Sequence, residues 1–237
     1  VEPVRPRPSP GNSGTPGVAR QLADATMKFW VDEGVAAVLE PSRGSLGGGT
    51  VFVQAGGSRT PSDPPVAPQL VLATEQYNRI ARTLERKTRV TLTADIDSRF
   101  YDDDLNAFNV VAELPGTDKA QDVVMLGAHF DSWHGGTSAT DNAAGSAVMM
   151  EAMRLLKTLN VPLHRTVRLA LWGGEEQGLL GSRAYVKQHF GDPATMQVTP
   201  EHAHLSGYFN VDNGTGQIRG VYLQGNEAIG PLFASWM

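Results

Sequence analysis

The chain has 237 residues, 41% of them hydrophobic and 19% charged, and a formal net charge of -5. This is the balance of a globular chain, and its sign removes the electrostatic footprint of a nucleic-acid binder. Cysteine is absent, so any metal must be held by His, Asp and Glu, and no apolar run approaches the roughly 18 residues of a membrane span.

The first residues, Val1-Glu2-Pro3-Val4, contain neither Met nor an apolar signal region and read as a mature or cut start. Residues 1–18 are rich in Pro, Gly and Ser and are expected to be irregular. A helical pattern runs over 19–33, with Leu22, Met27, Trp30 and Val31 near one face. Val35 to Leu39 reads as a buried strand, Ser42 to Gly49 as a loop and Thr50 to Gln54 as a second strand. A Pro-rich loop over 58–68 precedes a helix over Thr74 to Leu84. Alternation then predicts a strand over Thr88 to Asp97. Residues 1–94 read as a small α/β module.

Residues 95–237 read as a second domain. Strands are expected at Asn109–Glu113, Asp122–Gly127, Thr166–Trp172 and Leu205–Val211. Helices are expected at Asn142–Leu159, with Val148, Ala152, Leu155, Leu156 and Leu159 at helical spacing, at Leu179–Phe190, and from near Asn226. Strands alternating with helices imply an α/β fold, a mostly parallel mixed sheet flanked by helices.

Three polar clusters follow three of the apolar strands. They are His129-Phe130-Asp131-Ser132 with Asp141-Asn142 beyond it, Gly173-Gly174-Glu175-Glu176, and Asn210-Val211-Asp212-Asn213. Ligands of open α/β sheets bind in the crevice beyond the carboxyl ends of the strands. If these strands are neighbours, His129, Asp141, Glu175, Glu176 and Asp212 converge there. Imidazole and carboxylates suit zinc, and two paired cations activate a shared water near neutral pH. A nearby carboxylate that binds no metal then moves the proton, a division of labour that adjacent Glu175 and Glu176 permit. Asp131, two residues after His129, is placed to hold the imidazole's other nitrogen.

These motifs resemble the co-catalytic di-zinc aminopeptidases, a family that also contains glutamate carboxypeptidases and the transferrin receptor. The resemblance covers about Asn109 to Asn213 and rests on His-Phe-Asp-Ser-Trp, Ala-Thr-Asp-Asn-Ala-Ala-Gly, Gly-Gly-Glu-Glu-Gln-Gly-Leu-Leu-Gly-Ser and Asn-Val-Asp. The first of these is most like the plasma glutamate carboxypeptidase branch. The first module is similar, on pattern alone, to the protease-associated domain found in many members. The resemblance implies two Zn²⁺ ions, with Asp141 bridging them, His129 and Asp212 completing one and Glu176 on the other. It makes Glu175 the general base and later the acid, has Asp131 orient His129, and implies a cis peptide between Asp141 and Asn142. It also implies a further histidine on the second zinc, downstream of Asn-Val-Asp. No histidine follows Asp212, so the chain is expected to be a fragment, with substitution by His134, His202 or His204 as the alternative.

Each motif also has a plainer reading. Glu175-Glu176 alone fits a solvated helix start, and Asp212-Asn213-Gly214 alone fits a turn. His164, His189, His202 and His204 read as surface residues. Gly47-Gly48-Gly49 reads as a loop, since no Lys-Ser/Thr follows it. Tyr101-Asp102-Asp103-Asp104 reads as a solvated acidic linker. The expected activity is hydrolysis of peptide or dipeptide substrates at a chain end, foremost as an aminopeptidase. A carboxypeptidase or dipeptidase, an inactive fragment and a receptor-like binding protein are the alternatives. Family analogy implies an extracellular or periplasmic location and leaves a homodimer open.

Overall fold

The strands and helices of the second half follow from apolar runs too short to be anything but strands, each ending in polar residues and followed by a helical repeat. The computed structural model describes residues 17–42, 51, 62–133, 135–212 and 214–237. It divides into two units, Val1–Asp103 and Asp104–Met237, each described by itself.

In the first unit, helix α1 (Val18–Asp32) is followed by strand β1 (Val38–Pro41). Strand β1 pairs in parallel with β2 (Gln69–Leu72), Val38 opposite Gln69. Helix α2 (Thr74–Glu85) carries Glu75 in its first turn and Arg82 in its last, each favourable to the helix dipole. The strand expected at 50–54 falls, apart from Val51, outside the described residues, as do most of residues 1–18 and the glycine run at 47–49. The strand expected over Thr88 to Asp97 does not form: among the described residues this stretch has no ladder partner, and Leu92 and Ile96 are exposed. Alternation favours an extended backbone, but a strand also needs a neighbour to take its N–H and C=O groups.

The second unit is built on four strands, β3 (Val110–Leu114), β4 (Lys119–His129), β5 (Arg165–Trp172) and β8 (Leu205–Asn210), in the order β3-β5-β4-β8. Strand β4 runs parallel to both β5 and β8, whereas β3 is antiparallel to β5. The sheet is therefore mixed and mostly parallel. Helix α3 (Ala144–Thr158) joins β4 to β5, and α4 (Leu180–His189) follows β5. A small hairpin of β6 (Gly191–Asp192) and β7 (Gln197–Val198) and a 3-10 turn at Pro200–His204 lead into β8. A second 3-10 turn, Glu227–Ile229, opens into α5 (Gly230–Trp236).

Two-residue periodicity divides the core between the faces of the sheet. Val123 and Met125 of β4 and Ala170 and Trp172 of β5 pack with Tyr185 of α4, Phe190 and Leu205. The alternate residues, Ala128 of β4 and Leu169 and Leu171 of β5, pack with Met149 of α3, assisted by Leu126, Phe130 and Met153. A strand buried on both faces needs a continuous apolar run, which is how β4 and β5 read. The parallel pairings bring the carboxyl ends of β4, β5 and β8 to one edge, with His129 opposite Trp172 and Gly127 opposite Asn210.

Candidate metal centre

His129 is the last residue of β4 and is buried, at 2% exposure. Its Nδ1 lies 3.1 Å from the main-chain oxygen of Asp131. A carbonyl only accepts, so Nδ1 carries the proton and donates, and Nε2 points into the crevice. There Nε2 lies 2.9 Å from Oδ1 of Asp141 and 3.0 Å from Oδ1 of Asp212, with Oε2 of Glu175 at 3.9 Å. Asp212 reaches this level because β8 continues in register past Asn210, with the Val211 amide donating to the Gly127 carbonyl.

Asp141 is delivered by an irregular turn, 139–143, whose Asp141–Asn142 peptide is cis. The fully buried Asn142 fastens this turn. Its Nδ2 donates to the Val211 carbonyl at 2.8 Å, and its Oδ1 accepts the amide of Gly145, in the first turn of α3, at 3.1 Å. Gly145 is required by this close approach: a Cβ there would meet Asn142 Oδ1 at 2.2 Å and the Val211 oxygen at 2.6 Å. Ser146 Oγ donates to the His129 carbonyl at 2.8 Å. Asn142 and Ser146 thus join the strands and turn that carry His129, Asp141 and Asp212.

Glu175 and Glu176 sit in the turn between β5 and α4. The Asp131 carboxylate, expected on the imidazole, stands at ion-pair distance from it and hydrogen-bonds the following turn. Its Oδ1 is 3.5 Å from Nδ1, and its two oxygens accept the amides of Glu175 at 3.1 Å and Glu176 at 3.3 Å. The physical reason is that the Asp131 main-chain carbonyl already takes the Nδ1 proton, which leaves the carboxylate free for the N–H groups of the next turn. Asn109, just before β3, holds the same turn: its Oδ1 accepts the Gly173 amide at 3.1 Å and its Nδ2 donates to the Gly181 carbonyl at 3.0 Å.

Five carboxylates thus surround one imidazole, and the titration of Glu175, Glu176 and Asp212 reflects it. Burial raises the Glu175 pKa, and Asp212, Glu176 and Asp131 raise it further against the opposing pull of His129. Burial likewise raises Glu176, helped by the charge of Asp141, and raises Asp212, again with Asp141. Burial alone would lower the His129 pKa, but Asp212, Glu175, Asp131 and the bond to Asp141 outweigh it, and the net shift is upward. Such a cluster attracts a cation.

The donor set fits zinc. Tetrahedral Zn²⁺ bound at about 2.0–2.1 Å sets its ligand atoms roughly 3.3 Å apart, close to the separations from Nε2 to Asp141 and Asp212. Two metal-competent groups occur among the described residues, His129–Asp141–Asp212 and His129–Glu175–Glu176. They share His129, but an imidazole nitrogen has one lone pair and serves one ion, whereas a carboxylate such as Asp141 has an oxygen for each of two. The other described histidines stay apart. His164 faces Asp118 at 2.7 Å, His189 faces Glu201 at 3.2 Å and His204 faces Asp122 at 3.0 Å. His202 and His204 precede β8, at the opposite end of that strand from Asp212. His134 and Asn213 lie outside the described residues. Asp102, Asp103 and Asp104 are exposed and enter neither metal-competent group.

Comparison with known proteins gives this geometry a context. Residues 109–230, just over half the chain, match Peptidase family M28. Carboxypeptidase Q of Bos taurus is 32% identical over 137 residues, which cover 58% of this chain and 29% of that protein. The Probable leucine aminopeptidase 2 of Arthroderma benhamiae is 41% identical over 104 residues, 44% of this chain and 20% of its own. The chain thus matches less than a third of the length of these relatives. The crystal structure of a Peptidase M28 precursor from Shewanella amazonensis superimposes with a TM-score of 0.57 at 24% identity. It covers 90% of this chain and 48% of that one, a likeness of fold.

Proposed function

The chain belongs to Peptidase family M28, and we propose that it carries the site of a zinc-dependent exopeptidase, foremost an aminopeptidase. The observation that carries this reading is the meeting of His129 Nε2 with Asp141 and Asp212 at 2.9 and 3.0 Å, with Glu175 at 3.9 Å. In the proposal His129, Asp141 and Asp212 hold one Zn²⁺, while Asp141 and Glu176 offer donors to a second. Bound zinc supplies Lewis acidity and a nucleophilic water near neutral pH. Nδ1–H, held by the Asp131 carbonyl, keeps the His129 lone pair on Nε2 and directed at the cation. Glu175, with its raised pKa, accepts the proton of the attacking water and returns it to the leaving amine.

Charge supports attack at the amino end. Five carboxylates against two dications leave one negative charge to receive an α-ammonium group. The groups that weigh most on His129, Glu175, Glu176 and Asp212 are one another, Asp131 and Asp141, with no Lys or Arg among these dominant charges. A carboxypeptidase needs a cation for the terminal carboxylate. Carboxypeptidase or dipeptidase activity is the second reading, favoured by the likeness to Carboxypeptidase Q. Zinc-loaded protein is expected to hydrolyse leucine p-nitroanilide and spare its N-acetyl derivative. Release of C-terminal residues from N-blocked dipeptides, with the free-amine substrate untouched, reverses the assignment of direction.

The proposal extends to residues 1–94 as a protease-associated module that gates substrate size. Deleting it with the size preference unchanged refutes that part. Among the described residues no helix is long and apolar enough to cross a membrane. An extracellular or periplasmic location is proposed on the family analogy, and recovery of the native protein only with cytoplasmic markers on fractionation refutes it.

A further inference from the structure

The turn that carries Glu175 and Glu176 is held by side chains from other elements. Its carbonyls are used locally: Glu175 oxygen accepts the amides of Gly178 and Leu179, Gly174 oxygen that of Leu180 and Gly173 oxygen that of Gly181. Three of its amides look elsewhere. Asn109 Oδ1 takes Gly173, and the two oxygens of Asp131 take Glu175 and Glu176. Asp131 thus serves two neighbours with different parts of itself, its main-chain oxygen on the His129 imidazole and its carboxylate on the glutamate turn.

We infer that Asp131 is a positioning residue for the Glu175–Glu176 pair: its carboxylate fixes the backbone from which both side chains project, and His129 is oriented by its main-chain carbonyl. The inference rests on the reading of Glu175 as base and Glu176 as ligand. A carboxylate suits the task because both its oxygens only accept, so it takes two neighbouring N–H groups at once. An asparagine accepts with one oxygen and turns an NH₂ group toward the other amide. The substitution leaves the main-chain carbonyl, and hence the grip on His129, in place.

The test is Asp131→Asn in the full chain, followed first without metal by amide hydrogen exchange and by the ¹⁵N shifts of the His129 ring. Exchange at the Glu175 and Glu176 amides is expected to accelerate about tenfold or more. Protection across β4 and β5 and the His129 tautomer are expected to stay as they are. With zinc restored, kcat is expected to fall about 10–100-fold with KM held within about twofold. Unchanged exchange at both amides overturns the inference, as does a changed His129 tautomer with the amides unaffected. If the variant does not fold, wild-type protein decides. Scalar couplings across the hydrogen bonds from the two amides to the Asp131 carboxylate carbon support the inference, and their absence overturns it. The exchange readout judges the positioning alone, whereas a wild-type chain inert with zinc on every end-group substrate overturns the functional reading.

Discussion

At the scale of single residues the site is governed by which atom accepts which proton. The Asp131 carbonyl takes the Nδ1 proton of His129 and leaves Nε2 facing two carboxylate oxygens. Two anions beside one nitrogen favour a cation between them, which makes this the place for a metal. Glu175 stands somewhat further off, its Oε2 3.9 Å from Nε2, as suits the proposed base rather than a ligand of the same ion. Glu175→Gln is nearly isosteric and removes the basic oxygen. It is expected to retain bound zinc and lose about 10²–10⁴-fold in kcat, checked by elemental analysis beside steady-state turnover. Turnover near that of the wild type assigns the base elsewhere.

At the scale of elements, β4 and β5 determine whether there is a site at all. Both are buried on both faces, so one strand carries residues for two half-cores: Met125 and Val123 toward α4, Ala128 toward α3. Met125 is 2% exposed and lies within β4, with Arg168 of β5 opposite it on one side and Tyr208 of β8 on the other. Met125→Ala leaves a cavity that its β-sheet surroundings cannot fill and is expected to cost about 2–5 kcal/mol, read as a lower urea midpoint at unchanged slope. The tilted stack of Trp172 on Tyr185, with Trp172 Nε1 donating to Tyr208 at 2.7 Å, fastens β5 to β8 and α4 on the same face. A loss below about 1 kcal/mol would show that this half-core does not carry the stability assigned to it.

At the scale of the whole molecule, the acidic cluster couples metal, protons and stability. Glu175, Glu176 and Asp212 all have pKa values raised from the ordinary ones, so without metal they hold protons at a higher pH than free carboxylates. Zinc competes with protons for these groups and for His129, whose pKa is also raised. The sign follows: zinc affinity is strongest above these raised values and weakens as the pH falls through them. Zinc binding the folded chain alone raises the melting temperature, by about 2.7 kcal/mol of stability at a hundredfold excess over Kd. That gain is expected to shrink toward acid pH and vanish with a chelator. Calorimetric titrations in two buffers of different ionisation enthalpy check it, and an absence of proton release contradicts it.

Much of this was legible in the amino-acid order. The apolar runs at 122–127 and 166–172 and the helical repeat at 142–159 identified the α/β fold, because burial on two faces and helical spacing are properties of local sequence, while the resemblance of four polar motifs pointed to the family. The strand expected at 88–97 failed for the complementary reason: alternation describes one chain, and a ladder requires two. The same limit applies to the hydrogen bonds of the site. Sequence brought His129, Asp131, Asp141, Glu175, Glu176 and Asp212 under consideration but assigned no hydrogen-bonding role to Asn109 or Asn142, whose amide side chains resemble those of any polar loop until their partners are in view. Nor did it divide Asp131 between its carbonyl and its carboxylate. Those assignments depend on distances between residues 44 and 69 positions apart, which only the pairing of β4 with β5 and β8 brings within reach.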